Sequence, residues 1–175
     1  MTKVLVAYAT KYGSTAEIAR AVGATLQGEG LAVDVRPARE LSSLEGYDAV
    51  VLGSGLYVGG WHGDAVWFVR KFDRELKARP VWLFSSGPTG GSADALAQVE
   101  KAKESPTGFP MTKSVERYAS RIGARGHATF PGKVGDNFKG FWAKWIPKGD
   151  WRDFDAIADW SRSVALAVEG VPLAV

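Results

Sequence analysis

The chain contains no cysteine, which excludes disulfides, thiol catalysis, and zinc or iron–sulfur clusters held by thiolates. Its two histidines, His62 and His127, are too few for a histidine-rich metal centre. Any redox chemistry must then reside in an organic cofactor. No apolar run approaches the roughly 18 residues that a membrane span needs. The opening MTKVLVAYAT runs straight into a glycine turn without a cleavage signal, so a cytoplasmic location is expected. Nor is there a block of one charge. Lysines and arginines are spread along a chain of net charge +3 and pI near 9.2, which argues against a nucleic-acid partner.

What is present is an alternation of short β-like runs with helical periodicity over 175 residues, a length suited to a single domain, 1–175. KVLVAYA, LAVDVRPA, YDAVVLGS, PVWLFSS and HATF read as strands. Between the first two, Ile18, Ala19, Val22 and Leu26 make an apolar helical face closed by Gly28 and Gly30. Further faces are Phe68, Val69, Phe72 and Leu76; Val115, Tyr118, Ala119 and Ile122; and Ile157, Trp160, Val164 and Val168. Five strands alternating with helices predict an α/β three-layer sandwich: a doubly wound, five-stranded parallel sheet with helices on both faces. Two excursions, 86–110 and 131–151, interrupt the alternation, and long excursions in a compact domain are often functional.

The turn ATKYGSTAE offers an anion site in form. Free N–H groups at the positive end of a helix are accompanied by hydroxyls on Thr10, Ser14 and Thr15 and by the cation of Lys11. Ser14 and Glu17 have capping-box spacing, which predicts reciprocal side-chain bonds at the helix start. With strand order 2-1-3-4-5, ligands bind in the crevice between strands one and three. GSGLYVGGWHG, after strand three, brings glycines that admit a flat ligand, with Leu56, Tyr57, Val58 and Trp61 to cover its faces. SSGPTGG, after strand four, offers backbone amides to a ring edge. The near-dinucleotide pattern GSGLYVG has one residue too many, which argues against direct Rossmann-type nicotinamide binding, and GHATFPGKV lacks P-loop spacing, so an ATPase or GTPase reading fails. One polar loop and two glycine-rich loops fit flavin mononucleotide.

VLVAYATKYGSTAEIA resembles the N-terminal pattern of the flavodoxin family, a strand followed by a T-x-x-G-x-T phosphate loop and a helix, with Tyr12 where threonine is usual. More narrowly, Thr10-Lys11, VVLGSGLYVGGWHGDAVWFVRKF and GDWRDFDAIADWS resemble the branch containing menaquinone-dependent protoporphyrinogen IX dehydrogenase. The resemblance implies a flavodoxin-like FMN-binding fold. By matching position it implies phosphate contacts from Thr10, Lys11, Tyr12, Gly13, Ser14 and Thr15. Ring contacts would come from Ser54, Gly55, Leu56, Tyr57 and Val58, and from Ser86, Gly87, Pro88, Thr89 and Gly90.

Three functions follow as expectations: an FMN-dependent oxidoreductase of protoporphyrinogen dehydrogenase type with a quinone acceptor, an electron-transfer carrier, or a binding module without flavin. Partners are accordingly a redox protein or a quinone- or porphyrinogen-type small molecule. Phe138, Phe141, Trp142, Trp145 and Ile146 form one helical stripe beside Lys139, Lys144 and Lys148, which reads either as packing on the sheet or as peripheral membrane contact through 138–145. His62, near the ring loop, is a candidate proton donor or a helix cap. His127, at a strand start, reads as structural.

Overall fold

Short runs of β-branched and aromatic residues bounded by turns give strands, and their strict alternation here sends side chains to two separate helical layers. The computed structural model describes residues 1–57, 60–87, 111–136 and 148–170. Its main elements are β1 (Lys3–Ala9), α1 (Ser14–Gly28), β2 (Ala32–Pro37), β3 (Ala49–Tyr57), β4 (Gly60–Trp61), α2 (Gly63–Lys71) and α3 (Asp73–Lys77). These are followed by β5 (Val81–Ser86), α4 (Lys113–Ile122), β6 (Gly126–Phe130), the two-residue strands β7 (Lys133–Val134) and β8 (Gly149–Asp150), and α5 (Phe154–Val168).

The central sheet runs β2-β1-β3-β5-β6, all parallel, which is the predicted order 2-1-3-4-5. Val4, Val6, Val51, Trp82 and Phe84 face α1 and α5, while Leu5, Val50, Leu52 and Leu83 face α2, α3 and α4. The predicted faces of α1 and of α2–α3 are fully buried or nearly so. One predicted helix is in fact two: Phe72, at φ −105° and ψ 25°, breaks the run between Lys71 and Asp73 while its own ring stays in the core. β4 folds back antiparallel on the end of β3, pairing Leu56 with Trp61. β7 and β8 form a separate antiparallel pair. Among the described residues no helix is long and apolar enough to cross a membrane.

The glycines of the stretch after Leu52 do not make a loop. Residues 53–57 continue β3, and the reason lies in packing. A Cβ on Gly53 would stand 1.9 Å from Phe84 Cζ, and one on Gly55 would stand 2.7 Å from the Tyr57 hydroxyl, so each glycine admits an aromatic ring.

A buried polar chain crosses the sheet behind this strand. Trp61 Nε1 donates to Ser85 Oγ at 2.9 Å, and Ser85 Oγ lies 2.9 Å from His127 Nε2. The indole can only donate, so Ser85 Oγ accepts from it and keeps its own proton and a second lone pair for the contact with His127. Burial pushes the His127 pKa down to about 4. Between its ordinary value of 6.5 and about 4 the unfolded chain takes up a proton that the folded chain refuses. Stability is therefore complete above 6.5 and falls with pH through this window, by up to about 3 kcal/mol. Thermal melts of the wild type and His127→Asn across this range check it. A slope of equal steepness in both would contradict the assignment.

Candidate functional site

Three of the longer helices begin on a side-chain cap. His62 Nδ1 accepts from Asp64 N–H at the start of α2, Thr112 Oγ1 from Val115 N–H at α4, and Asp153 Oδ1 from Ala156 N–H at α5. The start of α1 has none: its N-cap is Gly13, in the left-handed region at φ 92°, with no side-chain cap. The capping box expected of Ser14 and Glu17 is not formed. Glu17 is taken instead by Arg152, 135 residues further along the chain. Ser14 becomes the first helical residue, and its Oγ is buried without a hydrogen-bond partner. Two such oxygens occur among the described residues, and the other, Thr129 Oγ1, does not belong to the cavity described next. The first turn of α1 thus presents backbone donors, the helix dipole and one orphan hydroxyl.

These groups open on a cavity of about 270 Å³ at the carboxyl ends of β1, β3 and β5, where the strand order reverses. Thr10, Tyr12, Ser14 and Thr15 line one end, while Gly55, Leu56, Tyr57, Ser86 and Gly87 line the side. Nine of the sequence-predicted residues therefore meet at one cavity. Gly87 is held at φ 123°, with its N–H bonded to Phe130 O at 2.8 Å, and a Cβ there would rest 3.5 Å from Leu56 Cβ.

The remaining predictions divide. Lys11 does not line the cavity: its N–H donates to the Tyr57 hydroxyl at 2.9 Å, and its ammonium lies 5.3 Å from the centre of the Tyr12 ring. Gly13 shapes the loop from behind, its N–H donating to Thr10 Oγ1 at 2.9 Å. Ser54 is fully buried and turned away from the cavity, donating to Gly55 O and accepting from His62 N–H. His62 caps α2 and lies edge-on to Tyr57 at 5.7 Å between ring centres, and it is absent from the cavity lining. Val58, Pro88, Thr89 and Gly90, together with the aromatic stripe at 138–146, lie outside the described residues.

Sequence reasoning missed the far wall, which is Gly132, Lys133 and Val134. A two-residue strand is too short to show periodicity, and the signal available was the excursion itself. The outer rim, shared through Tyr12, Ser14 and Lys133, adds Glu17, Gly135 and Asp136. Both rim carboxylates are matched, Glu17 by Arg152 and Asp136 by Lys148. Asp150 is also bound by Arg152, whose guanidinium hydrogen bond holds that carboxyl below its usual range. Lys133 sits opposite Asp150 in the β7–β8 register, where its charge helps hold that carboxyl down, and makes no ion pair within 4 Å among the described residues. In the side wall, burial pushes the Tyr57 phenol upward, opposed by the Lys11 N–H that it accepts, and keeps it protonated.

Residues 5–139 match the family described as the Flavodoxin domain. A curated relative, protoporphyrinogen IX dehydrogenase [quinone] of Escherichia coli strain K12, is 31% identical over 85 residues, which is 47% of this chain and 47% of that protein. The match thus spans about half the length of that relative. Among solved structures, a point mutant of the flavodoxin from Pseudomonas aeruginosa is similar with a TM-score of 0.62 at 15% identity, covering 97% of this chain and 100% of that one. The rubredoxin oxygen:oxidoreductase of Desulfovibrio gigas is similar with a TM-score of 0.61 at 15% identity, covering 98% of this chain and 37% of that one.

Proposed function

The chain belongs to the Flavodoxin domain family, and from this premise we propose that it is an FMN-binding oxidoreductase acting on a protoporphyrinogen-type substrate with a quinone acceptor. The observation that carries the cofactor is the uncapped start of α1, where Ser14 lines the cavity and its Oγ is buried and unpaired. An orphan hydroxyl among open N–H groups is costly unless an acceptor-rich group completes it. The donor set therefore fits a phosphate, with Lys133 opposing its charge. Leu56, Tyr57 and Gly87 offer the apolar and backbone surfaces that suit a flat ring. Bound FMN supplies one- and two-electron transfer through its ring. The protein's part is to bind and orient: Tyr57 is fixed by the Lys11 N–H of the phosphate turn, and Gly87 is fixed by Phe130 O beside Leu56.

Ser14→Ala separates binding from folding. Removing an unpartnered buried hydroxyl should leave the melting temperature of the flavin-free protein unchanged or slightly raised. The same change should weaken FMN by about tenfold through loss of a charge-assisted hydrogen bond. Calorimetric titration and thermal melts of one preparation read both. Loss of stability without loss of FMN affinity would show that Ser14 serves the fold alone.

The substrate class is supported by the 31% identity to protoporphyrinogen IX dehydrogenase over half the chain. A second reading, an electron-transfer carrier, is favoured by one feature: the described cavity lining contains no carboxylate and no imidazole. Steady-state oxidation of protoporphyrinogen with a menaquinone analogue decides between them. Reduction by a reductase without porphyrinogen turnover would leave the carrier. No flavin uptake after FMN is added back would leave a binding module and end both redox readings.

A further inference from the structure

On the face opposite α1 and α5, α2 and α4 enclose a shallow depression lined by Arg70, Arg117, Tyr118 and Arg121. All three arginines are exposed. Arg117 and Arg121 stand at i and i+4 of one helix, where like charges repel. Among the described residues neither Arg70 nor Arg117 has an ion pair, and the partner of Arg121, Asp73, is already shared with Lys77. Three guanidiniums thus meet at a concavity that no carboxylate lines among the described residues.

The surroundings have the same sign. α2, α3 and α4 together carry seven cations against four carboxylates, while α1 and α5 carry two against three. The floor of the depression is firm, because the Tyr118 ring stacks on Trp61 at 6.1 Å and 19°, and Trp61 is paired through β4 with Leu56 of the cofactor cavity. Nearby Trp67, half-buried, lies under Arg39 at 4.3 Å and Lys71 at 4.7 Å. Arginine, tyrosine and tryptophan are the residue types that dominate binding energy at protein interfaces.

We propose that this α2–α4 face is a docking surface for an acidic segment of a partner protein, whose clustered carboxylates are received by Arg70, Arg117 and Arg121. The open, shallow shape favours a macromolecular surface over an enclosed small anion, and the charge asymmetry of the two faces orients the encounter. The site stands apart from the FMN reading and goes beyond it.

The test is binding of a fluorescently labelled poly-glutamate peptide to the full chain at low ionic strength, read by anisotropy. Arg70→Gln/Arg117→Gln/Arg121→Gln is expected to weaken binding by about tenfold or more. The charge-matched control Arg20→Gln/Arg36→Gln/Arg162→Gln, away from this face, should change it less than about twofold. Arg70→Gln/Arg117→Gln keeps the Asp73 pair and should still lose most of the affinity, which separates docking from any loosening of α4. Equal losses in test and control, or no measurable binding by the wild type, would overturn the proposal. So would binding to phosphatidylglycerol vesicles that depends on the three arginines while the peptide is ignored, since that would assign the face to membranes.

Discussion

Gly13→Val is expected to weaken FMN by about a hundredfold while changing riboflavin affinity less than about threefold, because the two ligands differ only in the phosphate, which the proposed reading assigns to the α1 terminus. The space beside Gly13 is open, with nothing within 4 Å of a Cβ, so the effect does not come from a clash. It comes from φ 92°, a left-handed conformation that costs a β-branched residue about 1–3 kcal/mol. Relief of that strain rotates the turn and breaks the bond from Gly13 N–H to Thr10 Oγ1. The N–H groups of the first turn and Ser14 then no longer share one end of the cavity. Parallel titrations with FMN and riboflavin are the measurement, and equal weakening of both would mean that the loop does not hold phosphate.

The second large effect is on stability. Gly53→Ala places a methyl group 1.9 Å from Phe84 Cζ, 2.3 Å from Cε1 and 2.4 Å from Cε2, against a ring that is fully buried between Phe130 and Trp160. The ring has no free volume to enter, and β3 is the centre strand, paired on both sides. A loss of about 3 kcal/mol is expected, near the upper end for overpacking. In a Phe84→Leu background the same change should cost much less, so a double-mutant cycle in denaturant reads a coupling of about 1–2 kcal/mol. Additive losses would mean that Gly53 matters for its backbone and not for the ring it admits.

Much of the architecture could be read from the chain because the determining signals are local. KVLVAYA, YDAVVLGS and PVWLFSS are short apolar runs, and the faces led by Ile18, Phe68 and Ile157 repeat at helical spacing, so strand order and layers follow from pattern and topology rules. That Thr10, Tyr12, Ser14 and Thr15 would reach the crevice was legible for the same reason. The failures arise where packing overrides the local pattern or an element is too short to show one. Ser14 and Glu17 satisfy a capping-box pattern, yet Arg152 removes Glu17 from it, and no window around residue 14 contains that competitor. Gly53 and Gly55 look like loop residues until Phe84 and Tyr57 are seen to occupy the space of their missing side chains. Ser54, between them, looks like a ligand donor and is instead consumed by Gly55 O and His62 N–H. Gly132, Lys133 and Val134 reach the cavity on a strand of two residues, below the length at which alternation can register.

The Arg152 guanidinium, with only 4% of its side chain exposed and held by both Asp150 and Glu17, has a consequence for the order in which the protein is made. β1 and α1 are made well before the residue that fastens the first turn of α1, which follows Glu17 by 135 residues, and before the strand that walls its cavity. An emerging chain therefore holds most of its sheet before it holds a finished crevice.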